Sequence, residues 1–231
     1  AERCRKYLQN VPMINTVIFD MDGVIFDTER LAHRCWLEVA RQNGIKNMDK
    51  IYPSIIGCNR SRAAEILLNY YGENFPVEDF LQDTRRTFNR YIDTYGVPIK
   101  PGVAELLMFL KTNGYKTALA SSSDRAIVEK ELKSVDIYKY FDKIVCGDQV
   151  THSKPDPEIF LKAVSALKSQ KRESMVIEDS YNGLQAAVSA GVTAVMVPDM
   201  LPPTEELIGA GVKVFPNLLS VKIALKENKI K

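Results

Sequence analysis

Between residues 101 and 197 the chain alternates strand-like and helix-like segments, and this alternation limits the fold more than any other feature. Pro101-Gly102 opens a helix to about residue 113, a strand follows at 115–120, and a helix at 124–133. A short strand at 143–146, a helix at 157–167, a strand at 174–177, a helix at 181–190 closed by Gly191 and a strand at 193–197 complete the series. Strands separated by helices in this way predict a parallel sheet covered on both faces. Residues 14–19 add a further strand, rich in β-branched residues and reading as buried.

Residues 30–97 break the alternation, because no convincing strand occurs there. A helix at 28–43 carries apolar residues at 31, 35, 36, 39 and 40, with Thr28 as N-cap, Glu29 in the first turn and Gly44 beyond its end. A second helix at 60–71 stops at Gly72. A third at 78–95 lines up Phe80, Leu81, Thr84, Phe88, Tyr91, Ile92 and Tyr95 and ends before Gly96. An all-helical block inside an α/β series reads as an inserted domain. The expected organisation is an α/β core at 1–30 and 98–231 with a helical insert at 31–97. Leu31, Cys35 and Trp36 are expected in the core of the insert.

Composition narrows the function classes. The 231 residues are 45% hydrophobic and 26% charged, as in a soluble globular protein. The balance of 31 basic against 29 acidic residues leaves no basic surplus for nucleic acid, and no apolar run is long enough to span a bilayer. Residues 1–9 carry Arg3, Arg5 and Lys6 with no apolar core behind them, which is not a secretory signal. Cys4, Cys35, Cys58 and Cys146 form no Cys-x-x-Cys pair, and His33 and His152 are far apart, so zinc is not expected. Reduced thiols in a cytoplasmic protein are the expected state.

The chemistry collects at strand ends. Asp20 and Asp22 follow the 14–19 strand, Ser121-Ser122-Ser123 follows the 115–120 strand, and Glu178-Asp179 follows the 174–177 strand; Ser153-Lys154-Pro155 lies in a loop before a helix. In open α/β sheets ligands bind beyond the carboxyl ends of strands. Charge there is costly to bury unless a cation or hydrogen bonds meet it. Four carboxylates in one pocket resist joint ionisation. A hard divalent cation removes the conflict, and all-oxygen ligands select Mg2+. Lys154 adds positive charge, Ser121 a hydroxyl, and the N–H groups around Ser122 and Ser123 a helix start suited to an anion. Ser123 or Asp124 is expected to cap that helix. Taken singly, each feature is also an ordinary turn, cap or loop; their joint occurrence, in order, at one edge is what points to a phosphate site.

The segment Asp20-Met21-Asp22-Gly23-Val24-Ile25-Phe26-Asp27 resembles the first motif of the haloacid dehalogenase-like superfamily, Asp-x-Asp-Gly-x-x-x-Asp, and the Ser121, Lys154 and Glu178-Asp179 segments resemble its later motifs. The resemblance runs from residue 14 onward and implies a Rossmann-like core with a helical cap inserted after the first strand. It implies Asp20 as nucleophile, forming an aspartyl-phosphate, and Asp22 as general acid and then base, its carbonyl touching the metal. Asp179 would be a direct ligand and Glu178 a ligand or its supporting partner. Ser121, Ser122 and Lys154 would hold the phosphoryl group.

Asp22 argues against dehalogenases and phosphonate-cleaving members, which lack it. The cap resembles that of the β-phosphoglucomutase-like subgroup, with Gly57-Cys58-Asn59-Arg60 as substrate loop and Arg60 gripping the distal phosphate or sugar. Ala32 stands where the mutase has a gating histidine, and His33, one residue on, projects about 100° away on a helix. Phe26 and Asp124-Arg125 also depart from the mutase. The resemblance therefore implies Mg2+-dependent hydrolysis of small phosphate monoesters, sugar or polyol phosphates, with a β-phosphoglucomutase-type sugar phosphomutase as the alternative and a silent binding protein disfavoured. The expected partner is a small phosphorylated metabolite, without nucleic acid or membrane, and the chain is expected to act as a monomer. The cap is expected to close over substrate on hinges near residues 26–29 and 95–100.

Overall fold

The computed structural model describes residues 13–56, 58 and 60–230. Residues 1–9 read above, Cys4, and Gly57 and Asn59 of the expected substrate loop lie outside the described residues. The chain divides into two compact units, one running up to Phe26 and again from Ile99 onward, the other Asp27–Pro98. The first junction falls earlier than residue 30 because Asp27 already joins the helical unit, its N–H donating to Pro98 O at 2.8 Å just ahead of α1 (Thr28–Gln42).

The core unit is a six-stranded, wholly parallel sheet. Its strands are β1 (Thr16–Phe19), β2 (Lys116–Ser121), β3 (Lys143–Cys146), β4 (Ser174–Glu178), β5 (Thr193–Met196) and β6 (Lys213–Val214), in the spatial order β3-β2-β1-β4-β5-β6. The order reverses between β1 and β4, the switch point at which such sheets open a crevice. Register makes the neighbours specific: Phe19 pairs with Leu119 on one side and Ile177 on the other. The residues after Phe19, Leu119 and Ile177 are thereby brought to one edge. All four residues of β1 and all five of β4 are buried, as strands covered on both faces must be. One apolar cluster joins Ile18, Ala118, Ala120 and Val176 of the sheet to Phe160 and Ala163 of α7 (Glu158–Ala166) and Leu184 and Ala187 of α8 (Tyr181–Ala190).

The helical unit holds α1, α2 (Met48–Ile51), α3 (Arg60–Tyr71) and α4 (Val77–Tyr95). Its core joins Val39, Ala40, Met48, Leu67, Phe80 and Leu81, with the Trp36 and Phe80 rings edge to face at 5.4 Å. Leu31 and Cys35 are buried and Trp36 packs on this core. Gly44 follows α1 at φ 66°, the left-handed position that suits glycine at a helix end. Three elements absent from the sequence reading complete the core unit beyond the alternating region: β6, α9 (Glu205–Gly209) and α10 (Leu218–Lys226). Along the chain, α5 (Val103–Thr112) precedes β2 and α6 (Arg125–Ser134) follows it. Among the described residues no helix is long and apolar enough to cross a membrane.

Candidate active site

Asp20 is the first residue beyond β1, and its N–H still joins the ladder, donating to Ile177 O at 3.0 Å. The chain then doubles back. Ile25 and Phe26 N–H groups both donate to Met21 O, at 2.8 and 3.0 Å, and Gly23 N–H donates to Phe26 O at 2.8 Å. Gly23 takes φ 79°, and a Cβ on it would fall 2.1 Å from Asp179 Oδ2. Only a residue without a side chain lets the Asp179 carboxylate lie against this turn.

Across the switch point, Glu178 ends β4 with its side chain fully buried. One oxygen, Oε2, accepts from the N–H groups of Asp179 and Ser180 and from Ser180 Oγ, each at 2.9 Å. The other, Oε1, accepts from Lys154 Nζ at 2.7 Å. Lys154 also donates to Asp20 Oδ1, so its buried ammonium bridges the two acids, with the Phe160 ring 5.0 Å beneath it. Ser180 in addition caps α8, accepting from Gly183 N at 3.1 Å. The Glu178-Asp179-Ser180 run is thus both a helix cap and part of the site.

Oxygens of Asp20, Glu178 and Asp179, all buried, lie within 4.8 Å of one another. Burial, with Glu178 and Asp22 nearby, holds the Asp20 carboxyl well above the usual carboxylate range despite Lys154. Burial alone would pull Lys154 down, but the Asp20 and Glu178 carboxylates outweigh it and the ammonium is held charged. Three buried carboxylates meet here, and a hard divalent cation with oxygen ligands fits that donor set. Asp20 and Asp179 are placed to hold such an ion. Glu178, with both oxygens engaged by protein donors, is placed to fix Lys154 and the 178–180 turn. Asp22 is half-buried and stands outside the trio, although near enough to act on Asp20 electrostatically.

Ser121 closes β2 fully buried, and its Oγ accepts from Ser123 N–H at 3.1 Å, leaving the hydroxyl hydrogen to donate elsewhere. Ser122 is exposed; its carbonyl packs so closely on Gly147 that a Cβ there would come within 2.1 Å. A cleft of about 210 Å3 beside Lys154 is lined by Ser122, Gly147, Thr151 and Ser153. Of the two expected caps, Asp124 is the N-cap residue of α6, by backbone and without a side-chain cap bond: its carbonyl accepts from the Ile127 and Val128 N–H groups at 3.0 and 3.1 Å.

The structure brings Asp20, Ser121, Lys154, Glu178 and Asp179 together in the core unit. Arg60 belongs to the helical unit, where it opens α3 and pairs with Glu78 at 2.7 Å, both exposed. His33 is partly packed, its ring 4.5 Å from that of Tyr52 and its Nε2 without a hydrogen-bond partner. Sequence reasoning missed the roles of Gly23, Gly147 and Gly183. Gly23 stands in the Asp-x-Asp-Gly motif and Gly183 in the first turn of a helix right after Glu-Asp-Ser, but neither position says which side chain it makes room for, and Gly147 left no local trace.

A parallel sheet in this order, with a buried acid trio and a bridging lysine at its switch point, defines a Rossmann-like α/β core with a charged crevice at that point. Comparison with known families makes it specific. The family model described as haloacid dehalogenase-like hydrolase matches residues 17–197, so the chain belongs to the haloacid dehalogenase-like hydrolases. A curated relative, the phosphorylated carbohydrates phosphatase of Thermotoga maritima, is 33% identical over 219 residues, covering 93% of this chain and 99% of the relative. A solved Thermotoga maritima structure, described provisionally as a β-phosphoglucomutase, superposes with TM-score 0.76 at 33% identity, covering 93% and 99% of the two chains. The β-phosphoglucomutase of Clostridium difficile is similar at TM-score 0.70 and 26% identity, covering 95% and 100%. The chain is an enzyme of the phosphatase branch of that family.

Proposed function

We propose that this chain is a Mg2+-dependent phosphatase of small phosphate monoesters, sugar or polyol phosphates, acting through an aspartyl-phosphate on Asp20. The observation that carries the reading is the bridge from Lys154 to both Asp20 and Glu178, beside Asp179. When bound by Asp20 and Asp179, with Glu178 behind them, Mg2+ supplies the positive charge that lets a carboxylate and a phosphate dianion approach. An Asp20 oxygen attacks phosphorus, and the bond to the ester oxygen breaks. Asp22 gives its proton to the departing alkoxide, then takes one from the water that hydrolyses the aspartyl-phosphate and releases inorganic phosphate. Lys154 and Ser121 donate to the transferring oxygens, with N–H groups at Ser122, so positioning and charge do most of the work. The name of the Thermotoga relative supports a phosphorylated carbohydrate as substrate. Near-neutral net charge supports a small metabolite over nucleic acid, and the free thiols Cys35, Cys58 and Cys146 support a reducing, cytoplasmic setting.

The mutase-named structural neighbour keeps intramolecular phosphate transfer as the second reading. Incubating the protein with Mg2+ and a panel of phosphorylated sugars and polyols, and reading free phosphate, separates the two. Hydrolysis without any added sugar bisphosphate is expected. Asp20→Asn is expected to lower kcat by about 10³-fold or more, the order of loss on removing a nucleophile, while the circular dichroism spectrum is unchanged. Near-full activity in Asp20→Asn would overturn the assignment.

A further inference from the structure

The turn that carries Asp22 does not stand alone. Asp22 forms a parallel bridge with Phe26, and Phe26 an antiparallel bridge with Ile99, where the chain re-enters the core unit. Lys100 N–H then donates to Ile25 O at 2.9 Å. The Lys100 side chain continues inward: Nζ meets Asp199 Oδ1 at 2.6 Å, with the Asp199 side chain fully buried and the Lys100 side chain 15% exposed. Asp199 lies in the loop after β5, so one buried ion pair fastens the 99–100 segment to the sheet, and that segment fastens the Asp22 turn. A buried pair of this kind is weak evidence for stability as such, since two apolar residues of similar volume do as well or better. Its use is geometric: it has one arrangement, and it fixes where the next backbone segment lies.

We propose that Lys100 and Asp199 are positioning residues for the proton donor Asp22. The proposal rests on the reading of Asp22 as general acid given above. Its chemical consequence is selective. A displaced Asp22 fails most where the leaving oxygen is basic and needs a proton as the ester bond breaks. It matters little where the leaving group departs as a stable anion.

The test compares phenyl phosphate with p-nitrophenyl phosphate, which differ mainly in leaving-group basicity. The quantity is kcat/KM, because it reports events only through leaving-group departure and is blind to the later hydrolysis of the aspartyl-phosphate. Lys100→Met is expected to lower kcat/KM for phenyl phosphate by about tenfold or more, within the range that general-acid catalysis supplies, and to leave p-nitrophenyl phosphate nearly unchanged. Lys100→Arg is expected to restore much of the loss. Lys100→Met leaves Asp199 buried without its ammonium and can unfold the chain; the double change Lys100→Met with Asp199→Leu removes both charges and is expected to fold and to show the same selective loss. Equal losses on both substrates, or none, in the folded double variant overturn the proposal. Asp22→Asn, run in parallel, locates the fault. The selective loss in Asp22→Asn but not in the Lys100 variants sinks the positioning role alone, and its absence from both sinks the general-acid reading as well.

Discussion

Gly183 occupies the third position of α8, where alanine would ordinarily strengthen a helix by up to about 1 kcal/mol. Here a Cβ would sit 1.7 Å from Glu178 Oε1, the oxygen that receives Lys154. The carboxylate cannot step aside without giving up that ammonium and the three donors on Oε2. Gly183→Ala is therefore expected to reverse the usual sign. It should lower stability by about 1–3 kcal/mol, the cost of disturbing a buried, hydrogen-bonded charge, and kcat/KM by about 10²-fold, the scale of a small misplacement of catalytic groups. Urea denaturation and steady-state assays on one preparation check both; a more stable, fully active variant would show that Glu178 has room to move. None of this was legible in the sequence. The acids themselves were, because each follows an apolar strand run, and charge at such a place has few purely structural explanations. The glycines were not, because what they make room for arrives from distant parts of the chain.

Among the elements, legibility tracked length and burial. β1 to β5 could be read because each is an apolar run bounded by turn residues, and α3 could be read to its ends. β6 could not: it is two residues, Lys213 and Val214, at the sheet edge, with no period to detect. The α6 start could be narrowed only to Ser123 or Asp124, because Ser, Ser and Asp in a row offer several equivalent caps, and the fold selects Asp124. The loop from β3 to α7, which delivers Lys154, is held by a group that no pattern announced. Glu158, in the first turn of α7, accepts from the N–H groups of Thr151 and His152 at 3.0 and 2.9 Å and from Lys162 at 2.7 Å. The Lys162 bond and the two backbone N–H groups hold its carboxyl down at about 2. A depressed acid stabilises the fold above its unfolded pKa and loses that contribution as pH falls through its folded one. Glu158→Gln is thus expected to be less stable than the parent at pH 5 and above, with the gap narrowing from about pH 4 toward pH 2. Urea midpoints for the pair across that range measure it, and a gap constant with pH would mean that the carboxylate charge contributes nothing to holding the loop.

At the scale of the molecule, the sheet order puts the end of β1 beside the ends of β2 and β4, so carboxylates from positions 20 and 179 share one edge. The core unit thereby folds with Asp20, Glu178 and Asp179 clustered and buried at one place. A ligand that binds only the folded state stabilises it by about 2.7 kcal/mol at a hundredfold excess over its dissociation constant, and for a unit of this size that is a rise in Tm on the order of 5–10 °C. Adding Mg2+ to EDTA-treated protein should therefore raise Tm by several degrees. Asp179→Asn takes away one of the carboxylates placed to hold the ion, so its response to Mg2+ is expected to shrink toward zero. General weakening of the fold would lower both melts and leave the Mg2+ shift in place. Thermal melts of parent and variant, each with EDTA and with Mg2+, give all four values. A variant that keeps the full Mg2+ shift would place the ion away from Asp179, and with it the charge on which the proposed attack by Asp20 depends.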